Sequence, residues 1–323
     1  MLALLGQRAL QAALVMLAVT ALAFVMFRYV GDPVRTLARE DASVAEQAEL
    51  RAALGLDAPV VVQYARFVAR IATGDLGASF RNNRPVRELI LERLPATLEL
   101  VLVATVIALG FGIPLGVWCA LAPNGVCARL VQTLSLVGIS TPTFVTGIGL
   151  ILVFAVTLKW LPSFGRGDVV QIGWWSSGFF TASGWRSLLL PAITLALYQL
   201  TLIMRLVRSE MIDVLSSDHV RFARARGLPT STIHFKLALR NALMPVITVT
   251  GLQIGSLVAF AIVTETVFQW PGLGLLFIQA IAFVDIPVMA AYLLFVGLMF
   301  VVLNTIVDVL YALVDPRLRV RAS

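Results

Sequence analysis

Long apolar stretches alternate with short polar segments along most of this chain. Each stretch has about the 20 residues that an α-helix needs to cross a bilayer. The pattern therefore predicts an all-α integral membrane protein with six transmembrane helices. The predicted spans are residues 9–29, 97–122, 132–158, 187–207, 246–268 and 288–313. We expect a kink at Thr141-Pro142 in the third span, and the small-residue spacing of Gly251 and Gly255 in the fifth predicts close approach of another helix.

The first apolar stretch resembles a cleaved signal peptide in one respect, because Ala21-Leu22-Ala23 mimics a cleavage site. Its apolar core runs on past that point to Phe27, however, and only Arg8 precedes it. Signal-peptide cores are typically about 7–15 residues long. We therefore interpret residues 9–29 as an uncleaved transmembrane span.

Two segments between the spans differ from ordinary short loops. Residues 30–97 contain nine Arg and nine Asp or Glu with Ala-rich apolar spacing, which predicts short amphipathic helices in a small extramembrane region. A loop longer than about 60 residues is translocated largely regardless of its charge. Residues 268–287 contain no Lys or Arg, and their short apolar middle predicts a re-entrant or surface helix.

The basic residues predict which ends of the spans face the cytoplasm. Residues 205–245 carry seven basic and three acidic side chains, and Lys/Arg-rich loops of this length stay on the cytoplasmic side. The turn around Arg129 and the basic tail at residues 317–321 point the same way. With six spans, both termini are predicted to be cytoplasmic.

The composition excludes an ordinary soluble domain. Of the 323 residues, 59% are hydrophobic and 13% are charged, whereas soluble domains average roughly 45–50% and about 25%. The net charge of +7 comes from 23 Arg and two Lys, and basic residues at membrane edges account for it without nucleic acid binding. Cys119 and Cys127 have no metal-ligand spacing around them, and we expect no disulfide between them.

Residues suited to catalysis, cofactor binding or ion coupling are scarce. Both histidines, His219 and His234, lie in the basic segment, and neither lysine follows the glycine that a phosphate-binding loop requires. The sequence thus predicts no enzyme, no cofactor and no metal site. Glu99, Glu265 and Asp308 lie near span ends, whereas ion-coupled carriers place ionisable groups deeper in the membrane.

The basic segment 205–245 has an internal order of its own. Apolar residues recur near helical spacing from Leu206 to Leu215, which predicts that the preceding span continues as a helix beyond the membrane. Gly227 and Pro229 then form a turn before helix formers resume. On charge alone, this is a solvated loop that orients the protein and contacts lipid headgroups.

The residue order supports a more specific interpretation. Two strings carry it: Asp218-His219-Val220-Arg221-Phe222-Ala223-Arg224-Ala225-Arg226-Gly227-Leu228 and the later Ala238-Leu239-Arg240-Asn241-Ala242-Leu243-Met244-Pro245. Together they resemble the cytoplasmic coupling loop of ABC importer permeases of the dipeptide/oligopeptide/nickel branch. The wider superfamily has Glu-Ala-Ala where this chain has Arg221-Phe222-Ala223, and its proline is displaced here to Pro245.

The resemblance implies that this loop docks into a cleft on an ATPase subunit and transmits nucleotide-driven closure to the fourth and fifth spans. Ala223 and Ala225 would allow close approach, and arginines would pair with acidic groups on the ATPase. The predicted coupling residues are Asp218, Arg221, Ala223, Arg224, Ala225, Arg226, Gly227 and Leu228.

A second string, Glu265-Thr266-Val267-Phe268-Gln269-Trp270-Pro271-Gly272-Leu273-Gly274, resembles the same branch. Position alone would make Glu265 an acid at the membrane interface and Trp270 a member of an aromatic belt. The resemblance implies instead a segment near the outer gate, close to a docked binding protein. The predicted gate residues are Glu265, Phe268, Trp270, Pro271, Gly272 and Gly274.

Shorter strings extend the resemblance over nearly the whole chain. They are Gly31-Asp32-Pro33, Gly74-Asp75-Leu76-Gly77, Arg93-Leu94-Pro95-Ala96-Thr97-Leu98-Glu99-Leu100, Ser140-Thr141-Pro142-Thr143-Phe144, Trp160-Leu161-Pro162 and Asp315-Pro316-Arg317. The order of these strings implies the permease type with a long periplasmic loop. The same resemblance divides the chain into an N-terminal helix plus periplasmic region at 1–97 and a five-helix permease core at 98–323.

The resemblance implies an ABC importer type I permease fold in a bacterial inner membrane, without an ATPase site of its own. The implied partners are a second homologous permease subunit, two ABC ATPase subunits, an extracytoplasmic solute-binding protein and membrane lipid, but no nucleic acid. Short peptides are the favoured cargo, with nickel complexes or glutathione as alternatives. An ATP-independent channel or carrier, and a membrane-anchored scaffold that uses residues 30–97 as its interaction domain, are competing classes.

Overall fold

A computed structural model describes residues 2–29, 43–53 and 56–314. Its α-helices are α1 Leu2–Tyr29, α2 Val44–Ala53, α3 Val60–Ala72, α4 Val86–Leu121, α5 Val126–Ser140, α6 Thr143–Leu150, α7 Ala182–Ser216, α8 Asp218–Ala225, α9 Leu239–Val267, α10 Leu273–Ala282 and α11 Ile286–Val314. Two π-helical segments, Ile151–Thr157 and Thr232–Ala238, follow α6 and precede α9. The predominantly helical fold is confirmed.

Three of the described helices are long and apolar enough to cross a membrane: Val86–Leu121, Ala182–Ser216 and Ile286–Ile306. Two bent pairs would raise that number to five if each is one span. They are Val126–Ser140 with Thr143–Thr157, and Thr232–Gly251 with Gly255–Val267. In α1, the apolar stretch Leu10–Met26 is shorter. The described residues therefore contain three to five candidate spans, fewer than the six that the sequence predicts.

The predicted kink at Thr141-Pro142 is a complete break between α5 and α6. Proline lacks the backbone N–H that would continue a helical ladder. Pro142 instead opens α6, since its carbonyl accepts from the Val145 and Thr146 amides at 3.0 and 3.2 Å. The two halves of this pair meet at an angle of 111°.

The centre of the bundle is the contact between α4 and α7, which run side by side from Leu100 and Leu188 at one end to Met211 at the other. Small residues let the two backbones approach, as is common between membrane helices. A β-carbon on Gly116 would lie 2.6 Å from the Met204 carbonyl oxygen. This contact fixes how the other helices arrange around the pair.

The last helix, α11, packs against both α1 and α9. Gly297 of α11 lies against Val19 of α1, and a β-carbon on Gly255 of α9 would approach the Phe300 ring to 3.1 Å. The close helix approach predicted from the Gly251/Gly255 spacing is thus present at Gly255.

The two ends of the bundle differ. One end, which we call the hairpin end, carries α3, α10 and an antiparallel hairpin of β1 Val170–Ile172 and β2 Trp175–Ser177. The opposite, basic end carries α8 and the Thr232–Ala238 segment. Helices are therefore present where the sequence predicted them in 30–97 and 268–287, whereas the hairpin was not predicted. The Gly31-Asp32-Pro33 string and the tail from Asp315 lie outside the described residues.

Candidate functional site

At the basic end, α8 is a short amphipathic helix that rests on the protein's own helices. Val220 and Ala223 are buried on its inner face, where they pack with Ile233. Val214 and Leu215, in the last turns of α7, complete this small apolar cluster. Its burial fixes the orientation of α8 relative to the helices before and after it, so the segment is a rigid elbow between α7 and α9.

The predicted coupling residues lie on both faces of this elbow. Ala223 faces inwards, so its small side chain serves the contact with Ile233. The other seven are exposed: Asp218, Arg221, Arg224, Ala225, Arg226, Gly227 and Leu228. Arg221 lies 3.4 Å from the Asp218 carboxylate in an open surface pair, and such pairs contribute little to stability.

Sequence reasoning did not single out Phe222, which the structure places on the outer face of α8. Its ring is 64% exposed, and the Arg226 guanidinium lies 5.7 Å from the ring centroid. An exposed aromatic side chain surrounded by arginines is typical of the buried centre of protein interfaces. The sequence signal that could have identified Phe222 is its position, because the wider superfamily has the first alanine of Glu-Ala-Ala there.

Gly227 terminates α8 with a left-handed residue. Its φ is +75°, a conformation that glycine adopts without steric cost. The Gly227 amide donates to the Arg224 carbonyl at 2.9 Å, and the Leu228 amide donates to the Ala223 carbonyl at 3.2 Å. These bonds satisfy the last carbonyls of the helix. The turn predicted from Gly227 and Pro229 is confirmed, and it ends the helix at Ala225.

At the hairpin end, Glu265 is fully buried where α9 meets α10. Its carboxylate accepts from the Thr97 hydroxyl of α4 at 2.6 Å and from the Leu275 amide at 3.0 Å. Thr97 in turn accepts from the Leu273 amide at 2.8 Å. The first amides of α10 are therefore capped by side chains of α4 and α9, which is a favourable place for a carboxylate.

The glycines of the predicted gate string make room for this carboxylate. A β-carbon on Gly272 would overlap the Glu265 side chain, and one on Gly274 would lie 2.6 Å from the Ile262 Cα. Phe268 and Trp270 are buried, and the Trp270 indole donates to the Ala96 carbonyl at 2.9 Å. Pro271, half-buried, completes the turn. The six predicted gate residues thus form one joint among α4, α9 and α10.

A second buried acid, Glu99, lies two residues from Thr97, and the sequence did not predict its partner. Glu99 accepts from Arg166 at 2.7 Å, and the two side chains are only 1% and 7% exposed. The Glu99 carboxylate also accepts from the Trp175 indole and the Gly178 amide. Arg166 donates further to Ser176. This ion pair ties the hairpin loop onto α4, about half a turn from Thr97.

A third tie joins the loop before α4 to the turn between α10 and α11. The buried Asp285 carboxylate accepts from the Ser79 hydroxyl and the Phe80 amide. Arg81 then stacks on the Phe283 ring, 3.5 Å from its centroid. Over the described ranges, no group of three or more His, Cys, Asp or Glu could hold a metal ion.

Comparison with known proteins gives two family matches that together cover most of the chain. Residues 112–320 match the family described as "Binding-protein-dependent transport system inner membrane component", and residues 1–101 match its N-terminal companion. The α8 elbow and Glu265 fall within the first match, whereas Thr97, which bonds Glu265, falls within the second.

Named relatives align over nearly the whole length. A "Probable D,D-dipeptide transport system permease protein" of Escherichia coli (strain K12) is 40% identical, covering 98% of this chain and 97% of its own length. A "Di/tripeptide transport system permease protein" of Pseudomonas aeruginosa (strain UCBPP-PA14) is 41% identical over 93% and 94%. A "Glutathione transport system permease protein" of Salmonella paratyphi A (strain ATCC 9150 / SARB42) is 39% identical over 90% and 89%.

Among solved structures, a chain of the MetNI methionine ABC transporter in an inward-facing conformation superposes with a TM-score of 0.56. The match covers 70% of this chain and 96% of that chain at 18% identity, and it supports the type I permease fold. From the two family matches and the identities near 40%, this chain belongs to the family of binding-protein-dependent transport system inner membrane components.

Proposed function

We propose that this membrane component of an ABC importer forms the pathway for short peptides. It is a permease subunit, so the ATPase is a separate subunit and a solute-binding protein is a partner. The peptide assignment is supported by relatives named for D,D-dipeptide and di/tripeptide transport at 40% and 41% identity. Glutathione, named for a relative at 39% identity, and nickel complexes are the alternative cargoes.

We propose six membrane crossings with both termini in the cytoplasm. Three long apolar helices, two bent pairs and the apolar part of α1 sum to that number. The basic end then faces the cytoplasm, in agreement with its arginine content. Residues 1–97 would form the first helix and periplasmic region, and residues 98–323 the five-helix core, which pairs with a second, homologous permease subunit.

The observation that carries the coupling proposal is the two-sided construction of α8. Its inner face is anchored through Val220 and Ala223 to the end of α7 and to the Thr232–Ala238 segment that leads into α9. Its outer face presents Arg221, Phe222 and Arg224. A helix held in this way transmits a push on its outer face to two membrane helices without bending. We propose that two ATPase subunits supply this push, one through this chain and one through the second permease.

The joint around Glu265 would carry the resulting movement across the membrane to the outer gate. It lies at the far end of α9, and its hydrogen bonds reach α4 through Thr97 and α10 through the Leu273 and Leu275 amides. A rotation of α9 must therefore move α10 or break buried hydrogen bonds. This is why the gate string is proposed to act as one unit.

Reconstituted transport tests the proposal. The chain would be co-purified with its ATPase subunits and second permease, placed in proteoliposomes and supplied with its binding protein. We expect ATP-dependent uptake of labelled dipeptides that exceeds uptake of glutathione and nickel complexes. Uptake of any of these by the chain without ATPase subunits would instead support the channel or carrier class.

A further inference from the structure

A cavity of about 270 Å³ lies at the hairpin end between α3 and the first turns of α11. Phe67 and Ile71 of α3 line one side, and Ala290, Ala291 and Leu294 of α11 line the other. The two alanines carry only a methyl group, which leaves room on this side of the cavity. The loop from Leu76 to Phe80, together with Asn83, completes the lining, which is mostly apolar.

The cavity lies at the depth of apolar helix surface rather than above it. α3 packs on α1 within the apolar stretch Leu10–Met26, where the Tyr64 hydroxyl bonds Thr20 at 2.9 Å and Phe24 contacts the Phe67 ring. Leu294 belongs to the apolar part of α11. Apolar cavities are poor sites for water. Because α1 and α11 are among the helices proposed to cross the membrane, lipid of the adjoining leaflet would border this face of the bundle, and an acyl chain is the natural occupant.

The mouth of the cavity is charged on two sides. Arg70, in the last turn of α3, and Asp75, just beyond it, both line the opening and are exposed. No ion pair joins them among the described residues, although they lie five positions apart. The Asp75 carboxylate accepts instead from the Gly77 amide, at 3.0 Å. The lining of this cavity therefore carries a cation and an anion that are not paired with each other.

We propose that this cavity binds one glycerophospholipid with an ethanolamine headgroup from the adjoining leaflet. One acyl chain fills the apolar space, the phosphate binds the Arg70 guanidinium and the ammonium donates to Asp75. A phosphatidylglycerol headgroup offers no cation to Asp75. A choline headgroup has no N–H to donate to the carboxylate. The pair of opposite charges at the mouth therefore selects ethanolamine over both.

Native mass spectrometry of the full-length chain, titrated with phosphatidylethanolamine, phosphatidylglycerol or phosphatidylcholine of identical acyl chains, tests this site. We expect ethanolamine lipid to bind about tenfold tighter than the other two, the range of one charge-assisted hydrogen bond. Arg70→Gln should weaken all three lipids, and Asp75→Asn should remove only the preference for ethanolamine. Arg66→Gln, on the same helix but away from the cavity, is the matched control.

Equal binding of the three lipids, or equal effects of Arg70→Gln and Arg66→Gln, would overturn the proposal. Ala290→Phe should displace the acyl chain by filling the cavity. If that variant does not fold, the two surface substitutions at the mouth still decide the question, because neither changes a buried contact. Capture of a protein partner that competes with added lipid at the Arg70 mouth would also count against a lipid site.

Discussion

The hydroxyl of Thr97 donates to the buried carboxylate of Glu265 across 2.6 Å, although the two residues are 168 positions apart. The same Thr97 oxygen accepts from the first amide of α10. One side chain therefore closes a three-helix joint that neither α9 nor α10 could close alone. The joint lies at the end of the bundle opposite α8, so both termini of α9 are fixed by specific contacts.

Thr97→Val should lower the free energy of unfolding by about 1–3 kcal/mol, because it leaves the Leu273 amide without an acceptor and removes a donor to Glu265. The measurement is thermal unfolding of the purified chain in detergent. Thr97→Ser keeps the hydroxyl and should remain near wild type. Thr105→Val is the matched control on α4, since the Thr105 hydroxyl donates to a carbonyl of its own helix. Equal losses at 97 and 105 would contradict the joint.

The Glu99–Arg166 ion pair is expected to matter through its burial. Removing one partner leaves an uncompensated buried charge, so Glu99→Gln or Arg166→Met should each cost about 3–5 kcal/mol of stability. The double variant Glu99→Leu/Arg166→Met should recover part of that loss, because it removes both charges. A double-mutant cycle measured by chemical or thermal unfolding gives the coupling energy.

The comparison for this cycle is the exposed pair Arg84–Glu92. Its side chains are 44% and 52% exposed, and breaking such a solvent-screened pair should change the free energy of unfolding far less than breaking the buried one. If Glu99→Gln proves as mild as Glu92→Gln, the hairpin loop is not held by its buried pair.

The sequence predicted features with a local cause. Thr141-Pro142 breaks a helix because proline has no amide hydrogen, and Gly227 terminates one because it tolerates positive φ. The start of α7 at Ala182, five residues before the predicted span, also has a local cause. The Gly184 amide donates to the Thr181 hydroxyl at 3.0 Å, a capping signal that a count of apolar residues overlooks.

Contacts between distant segments were beyond such reasoning. Glu99 was noted near a span end, but 67 positions separate it from Arg166 and no periodicity relates the two residues. The hairpin at Val170–Ser177 has strands of only three residues, too short for an alternating pattern to register. The gate string was found by resemblance alone, and only the fold reveals that Glu265 caps α10.

The contact between α4 and α7 predicts a sharp difference between two glycines of α4. Gly116→Ala should destabilise the bundle by about 1–3 kcal/mol, because its β-carbon would lie 2.6 Å from the Met204 carbonyl oxygen, a backbone atom. Gly110→Ala meets nothing within 4 Å and should be neutral or stabilising by about 0.5–1 kcal/mol. Thermal unfolding of both variants under the same conditions decides; a similar loss at both positions would mean that α7 does not pack at Gly116.

Gly227 offers a test of coupling that separates backbone geometry from side-chain bulk. Its φ is +75°, and a β-carbon at this position would meet nothing within 4 Å, so Gly227→Ala should cost about 1–2 kcal/mol through strain alone. Asparagine tolerates this conformation better, so Gly227→Asn should be milder. If that strain acts on the position of α8 against the ATPase, alanine should lower the ratio of peptide uptake to ATP hydrolysis by about 5–30-fold, the equilibrium factor for 1–2 kcal/mol, while the complex still assembles and hydrolyses ATP. Gly74→Ala is the matched control. Gly74 has a φ of +80°, and a β-carbon there would also meet nothing within 4 Å. Because Gly74 lies at the hairpin end, this variant should leave the ratio of uptake to ATP hydrolysis unchanged. Uptake and hydrolysis falling together in Gly227→Ala, or equal uncoupling in Gly74→Ala, would argue against a coupling role for the turn.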